Sequence, residues 1–96
     1  MSKHNEYTIK DLVEKMLQVY GLDRKLAEQK LISSWESVMG SIIAKHTKDI
    51  FINKQQLFVT LDSSALRKEL SMAKSKIITM MNQAAGESVI NEIIFK

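Results

Sequence analysis

The side chains that most often carry catalytic chemistry are few and poorly placed in this 96-residue sequence. The two histidines are His4, in a polar N-terminal stretch, and His46, at the predicted end of a helix, where an imidazole usually complements the helix dipole. Ser63 and Ser64 precede a helix and are expected to cap its free amides, and no base that would activate either hydroxyl is identifiable. We therefore predict no catalytic residue and no enzymatic activity.

Signatures of metal and cofactor binding are also missing. The chain has no cysteine, which excludes thiolate sites and disulfides. It has no His-Glu-x-x-His spacing, no pair of carboxylates in an apolar context and no Walker-type phosphate loop. The sequence therefore predicts no metal site and no cofactor, and it predicts a binding protein rather than an ATPase.

Basic side chains give one candidate site. The formal net charge is only +3, but on a continuous third helix, at about 100° per residue, Arg67 and Lys74 would share one strip. Together with cations elsewhere they form a candidate phosphate-binding patch. The candidate nucleic-acid-binding residues are Lys45, Lys48, Lys54, Arg67, Lys68, Lys74 and Lys76. An ordinary solvated face is the alternative.

Three aromatic residues are candidate partner contacts. Phe51 and Phe58 alternate away from the aliphatic side of two predicted strands, where paired rings would stack on bases or anchor a helix of a partner. The N-terminal residues, the first helix or a second copy of the domain would cover them equally well. Trp35 lies on the core line of the second helix and is either a structural anchor or a partner contact at its exposed edge.

A strand that turns directly into a helix must position these residues. Leu57, Val59 and Leu61 alternate with polar or aromatic neighbours, which is typical of a strand with one buried face. From Leu66 to Ala84 the apolar residues follow at steps of three or four and predict one long helix. A polar turn over residues 53–56 sets up a hairpin. The hairpin pairs Ile52 with Leu57, Phe51 with Phe58 and Ile50 with Val59.

The remaining elements follow from helix caps and apolar spacing. A first helix is predicted to begin at a capping box formed by Thr8 and Asp11 and to stop at Gly21. Asp23 should cap a second helix that contains Gly40, for close packing, and ends near His46 and Thr47. Residues 89–95 predict a last strand after Gly86, so that a crossover helix joins two parallel strands. The predicted class is α+β, in the order helix-helix-strand-strand-helix-strand, with the helices on one face of a three-stranded sheet.

The domain organisation is simple. Residues 1–7 are polar and predict a flexible N-terminus, and residues 8–96 are sufficient for a single domain. The beginning of the sequence lacks the apolar core of a signal peptide, and no apolar run approaches the ~20 residues of a membrane span. A cytoplasmic location is therefore expected.

Several short segments, in this order and at these separations, resemble the DciA-like family over roughly residues 25–96. They are Trp35-Glu36-Ser37-Val38-Met39-Gly40, then Ile43-Ala44-Lys45-His46-Thr47, then residues 57–66, then Glu69-Leu70, and the closing strand 89–95. The resemblance implies a fold similar to the KH domain. It also implies a bacterial replicative-helicase loader that acts on the hexameric DnaB-type helicase and binds DNA weakly.

The sequence departs from these patterns in places. A KH domain clamps nucleotides with a Gly-x-x-Gly loop, and Gly21, Gly40 and Gly86 are too far apart to form one. Larger members of the family carry a C-terminal tail, whereas this sequence ends at the last predicted strand, and the usual glycine of the strand-strand turn is replaced by residues 53–56. Two alternatives to helicase loading therefore stay open: a general RNA- or DNA-binding module, and a homodimeric interaction domain with no nucleic-acid role.

Overall fold

A computed structural model describes residues 8–96, which form six helices and three strands in an α+β arrangement. The predicted flexible N-terminus, residues 1–7, lies outside the described residues. The elements are α1 (Ile9–Val19), α2 (Leu22–Ser33), α3 (Trp35–Met39), α4 (Ser41–Lys45), β1 (Thr47–Asn53), β2 (Gln56–Leu61), α5 (Ser64–Ser71), α6 (Lys74–Ala85) and β3 (Glu92–Phe95).

The sheet has the strand order β1-β2-β3, with β1 antiparallel and β3 parallel to β2. The predicted hairpin register is confirmed: Ile50 pairs with Val59, Phe51 with Phe58 and Ile52 with Leu57. Lys54 and Gln55 occupy the two turn positions with φ of 51° and 65°. Both angles are positive, as in the two-residue turns that match the twist of a hairpin.

The core lies between one face of the sheet and the helices. Alternate residues of β2 are buried, and the same face continues through Ile93 of β3. From the helical layer, Leu31, Ile77 and Met81 are almost fully buried against it. Burying each of these side chains contributes roughly 1.5–3 kcal/mol to folding. The arrangement confirms the predicted α+β class, and it is consistent with a KH-like fold.

The second predicted helix is divided into three. Asp23 does not cap α2; it lies in the first turn, where its carboxylate accepts a hydrogen bond from the amide of Arg24, and Gly21 is the N-cap residue. Gly40 does not lie inside a helix, because its φ of 95° and ψ of 162° end α3 and begin α4. No side chain or backbone lies within 4 Å of a Cβ built at this position. Glycine is therefore needed here for its backbone conformation and not for close packing.

The third predicted helix is also interrupted. Leu66 and Leu70 belong to α5, whereas Ile77 and Met81 belong to α6, and Met72 and Ala73 form a turn between them. The amides of these two turn residues bond to carbonyls three residues back, which tightens the end of α5. The last strand is shorter than predicted: Val89 and Ile90 are buried, but the strand begins only at residue 92.

Predicted helix starts are confirmed at two positions. Thr8 and Asp11 form the reciprocal bonds of a capping box at α1. Ser63 caps α5 by accepting a bond from the amide of Leu66, as expected for a serine at that position. Within residues 8–96, no helix is both long and apolar enough to cross a membrane.

Candidate interaction surface on the open sheet face

The sheet face opposite the helices carries two stacked aromatic rings. Phe51 of β1 and Phe58 of β2 are direct cross-strand partners, with ring centroids 4.9 Å apart and planes 8° from parallel. Ile94 of β3 lies beside Phe58 in the parallel register. Phe51 is 39% exposed and Phe58 is half-buried, so no part of the described chain covers the pair completely. We call Phe51, Phe58, Ile94 and Lys96 the open face.

Lys96 places a cation beside both rings. Its Nζ is 5.5 Å from the centroid of Phe51 and 5.2 Å from that of Phe58, so one ammonium group is shared by the pair. At an exposed site such a contact contributes about 0.5–1 kcal/mol. The backbone of Lys96 is fixed on both sides, because its amide donates to Val59 and its carbonyl accepts from Leu61, each at 2.8 Å.

Three basic residues are attached to the chain where β2 ends, two by their side chains and Lys96 by its backbone. Arg67 donates from Nη1 to the carbonyl of Leu61 at 3.2 Å, and Lys96 accepts from the amide of the same residue. Lys48 reaches the next residue, with Nζ 3.2 Å from Oδ2 of Asp62. We call Lys48, Arg67 and Lys96 the cationic edge. Each of them forms a hydrogen bond or an ion pair with Leu61 or Asp62.

A β-bulge places the side chain of Lys48 at this edge. Thr47 pairs with Leu61 and Asp49 with Thr60, so Lys48 is the extra residue of β1. Regular alternation from Ile50 would point Lys48 into the core and Thr47 out of it. The bulge reverses both orientations. It places Thr47 Oγ1 where it accepts from Trp35 Nε1 at 3.0 Å and donates to the carbonyl of Ile43 at 2.7 Å.

Asp62 ties the cationic edge to the end of α4. Its Oδ1 lies 2.6 Å from Nδ1 of His46, and its other oxygen faces Lys48. The hydrogen bond from His46, assisted by the bond and charge of Lys48, holds the pKa of Asp62 below its usual value of 3.8. His46 therefore pairs with a carboxylate, whereas its position at a helix end had suggested that it complements the helix dipole.

None of the other predicted cations that the structure describes bonds to residues 61 or 62. Lys54 is in the hairpin turn, at the opposite end of β1 and β2, and Lys45 is in the last turn of α4. Lys68 belongs to α5, whereas Lys74 and Lys76 begin α6. The interruption at residues 72–73 removes the single helical strip on which Arg67 and Lys74 were aligned. A nucleic-acid role for these lysines stays a prediction.

Trp35 lies in the core of the domain. Its side chain is 4% exposed, and its indole N–H donates a hydrogen bond to Thr47.

Sequence reasoning missed Lys96 as a site residue. The signal was available, because extending the parallel register of Phe95 and Val59 by one residue puts Lys96 on the face of Phe58.

Nothing in the described part of the chain resembles a metal centre: no three His, Asp or Glu side chains of residues 8–96 come together. The arrangement defines a class of protein instead. It is a small α+β domain of KH-like architecture whose helices cover one sheet face while the other presents aromatic rings and a cation. Residues 8–95 match the family described as "Dna[CI] antecedent, DciA", and the chain belongs to this family.

Curated relatives are similar but longer. The chain is 30% identical over 82 residues to a UPF0232 protein of Corynebacterium glutamicum, a match that covers 85% of the chain and 46% of the relative. It is 29% identical over 73 residues to the UPF0232 protein in the recF-gyrB intergenic region of Mycolicibacterium smegmatis, covering 76% of the chain and 38% of the relative. The chain thus spans less than half the length of these relatives.

Proposed function

We propose that this domain is a non-catalytic adaptor that recruits or loads a DnaB-type replicative helicase in bacterial DNA replication. The observation that carries the proposal is the family match, which extends over nearly every described residue. The fold supports a binding role, because its open sheet face presents aromatic and cationic side chains and not a cleft that contains a nucleophile and a base. Such an adaptor acts in the cytoplasm, where replication takes place.

The open face supports weak contact with single-stranded DNA. Phe51 and Phe58 shield one face of each other's rings, and Ile94 flanks Phe58 on the far side. Phe51, on the edge strand, therefore has the ring face that is available to a base. Stacking of one base on an aromatic ring contributes about 1–3 kcal/mol and depends little on base identity. An unpaired strand is required, because bases within a duplex already stack on each other.

The cationic edge would hold the phosphates that flank this base. Of its three members, Lys48 already faces Asp62 and Arg67 is partly used by a backbone carbonyl, so the edge is only moderately attractive to anions. Contact with three phosphates on a single strand would give a slope of log K against log salt of about −2. This modest dependence agrees with the small net charge of +3 and with weak binding.

A helicase-loading assay tests the proposal. The protein is mixed with the replicative helicase of its host, complex formation is measured by pull-down, and loading is measured on closed single-stranded circles, which admit a ring only if it opens. We expect a complex and faster loading than with the helicase alone. Absence of both, with protein that gives the expected circular dichroism, would overturn the proposal.

The same open face favours one second candidate, a general module for single-stranded RNA or DNA without a helicase role. Salt-dependent binding to oligonucleotides together with no helicase complex would support it. A homodimeric domain without a nucleic-acid role is the third candidate. It would form dimers, and neither helicase nor oligonucleotide would bind.

A further inference from the structure

Helix α1 exposes almost its whole apolar face. Ile9, Val19 and Tyr20 are 80%, 70% and 71% exposed, and α1 has no buried residue. On a helical projection the apolar side chains span an arc of about 160°, wider than the ~100° that a core-facing helix needs. Only Leu17, at one margin of this arc, is half-buried. The helix has the face of a packed element without a packing partner in the described chain.

The position of α1 explains this exposure. Its extensive contacts are with α2, and it does not lie against the sheet. The radius of gyration is 17.0 Å, whereas about 12.5 Å is expected for a compact domain of this length. On α2, just beyond Gly21, Leu22 and Leu26 are also exposed. We call this surface the α1 arm; its exposed residues are Ile9, Leu12, Val13, Met16, Val19, Tyr20, Leu22 and Leu26.

The spacing and charge of the arm indicate what covers it. Ile9, Leu12, Met16 and Val19 follow at steps of three, four and three, which is the seam of a two-heptad helix pair. The charged residues of α1 are two lysines and two acids, so its net charge is zero although the whole chain is basic. Two such helices approach without net repulsion, and nothing on α1 selects a strongly charged partner.

The area also suits self-association. The arm offers eight apolar side chains that are 43–80% exposed, and an interface of standard size takes about 800 Å² from each partner. We propose that the α1 arm pairs with the α1 arm of a second copy, which makes the protein a homodimer through a surface separate from the open face. A two-fold interface of this kind is self-complementary and leaves both open faces accessible.

Sedimentation velocity from about 5 to 200 μM tests the proposal with a matched pair of variants. Met16→Glu places a negative charge in the seam, and Gln18→Glu places the same charge on the polar side of the same helix. We expect the wild type and Gln18→Glu to approach twice 11.0 kDa with rising concentration. We expect the dimer of Met16→Glu to be weakened at least 10-fold. A wild type that stays at 11.0 kDa throughout, or a Met16→Glu variant that dimerises like the wild type, overturns the proposal.

A second measurement covers the case in which glutamate unfolds α1. Because the chain has no cysteine, Met16→Cys and Gln18→Cys each introduce a single thiol. In the dimer, the maleimide reaction at position 16 should slow at least 5-fold between the lowest and highest protein concentration, while that at position 18 stays constant. Equal rates at both concentrations for both variants contradict self-association. The dimer and the helicase-loading function are tested separately. If a variant that remains monomeric still loads the helicase, loading does not need the dimer, and a failure of either proposal leaves the other standing.

Discussion

Phe51 and Phe58 lie face to face across the β1–β2 hairpin, with ring planes only 8° from parallel. Each ring therefore gives up one face to the other, and the edge-strand ring retains the face that a ligand can use. Because the aliphatic residues on the other side of the same strands form the core, the hairpin serves stability with one face and recognition with the other.

Replacing Phe51 tests the recognition role. We expect Phe51→Ala to weaken binding of a single-stranded oligonucleotide by roughly 5- to 100-fold, because it removes the accessible stacking surface. Its melting temperature should also fall by several degrees, since the ring is only 39% exposed and stacks on Phe58, so circular dichroism must first show that the variant is folded. Met72→Ala is the matched control: it truncates an apolar side chain that is more exposed and lies off the open face. Fluorescence anisotropy checks both, and equal affinities would remove Phe51 from the interface.

Lys96 and Lys54 test where phosphates bind. The first lies beside the aromatic pair, whereas the second lies in the turn at the other end of the hairpin. We expect Lys96→Gln to reduce the salt slope of single-strand binding by about 0.7, the amount for one lost phosphate contact. If the phosphates bind at the open face and not at the turn, Lys54→Gln leaves the slope unchanged. A larger effect at Lys54 would move the binding surface to the turn.

The pH dependence of stability should reflect Asp62. Hydrogen bonds from His46 and Lys48 lower its pKa in the folded state below 3.8, so the ionised carboxylate favours folding. This contribution is present above pH 3.8 and is lost as the pH falls through the lower, folded-state pKa. We expect the melting temperature of Asp62→Asn to lie below that of the wild type at pH 6 and to converge with it below pH 3.8. An equal difference between Asp62→Asn and the wild type at pH 6 and well below pH 3.8 would contradict this account.

Gly40 should resist substitution although it has open space around it. Its φ of 95° and ψ of 162° belong to a region that is essentially restricted to glycine. We expect Gly40→Ala to lower the free energy of unfolding by about 1–3 kcal/mol through backbone strain alone. Gly21→Ala, at φ 71° and ψ 15°, should cost about 1 kcal/mol, because other residues also enter that region. Chemical denaturation measures both, and an unaffected Gly40→Ala would contradict the strain argument.

Asn82 fastens the segment that leads into β3. Its Nδ2 donates to the carbonyl of Ile90 at 2.8 Å, and its Oδ1 accepts from the amides of Val89 and Ile90 at 2.9 and 3.0 Å. We expect Asn82→Ala to destabilise the protein by about 2–3 kcal/mol, because partly buried backbone groups lose their partners. Gln83→Ala, an exposed neighbour on α6, should change stability by less than about 0.5 kcal/mol. Similar melting temperatures for the two variants would show that water replaces Asn82.

The hairpin could be predicted from the sequence, and its register is right at every predicted pair. Period-two alternation on both strands leaves one pairing in which the aliphatic residues share a face, and that pairing also brings Phe51 to Phe58. The capping residues Thr8 and Ser63 were equally predictable, because few side chains satisfy the amides at the start of a helix.

The interruptions of the helices were not predictable in the same way. Met72 and Ala73 are ordinary helix residues, and neither glycine nor proline marks the break between α5 and α6. Tertiary packing accompanies the break: α5 contacts β2 and β3, whereas α6 contacts β3 and also α2 and α3. Gly40 did carry a signal, but a glycine within an apolar helical pattern is compatible both with close packing and with a break.

The bulge at Lys48 gives the protein one position in β1 where chain length is free to vary. Removing this residue would join Thr47 to Asp49 in regular alternation and keep every aliphatic side chain after it in phase. Removing one of residues 50–52 would instead reverse the orientation of the side chains in part of the strand, so that aliphatic residues would face solvent. Insertions and deletions among relatives should therefore gather at residue 48, where they add or subtract a surface cation and leave the interior untouched.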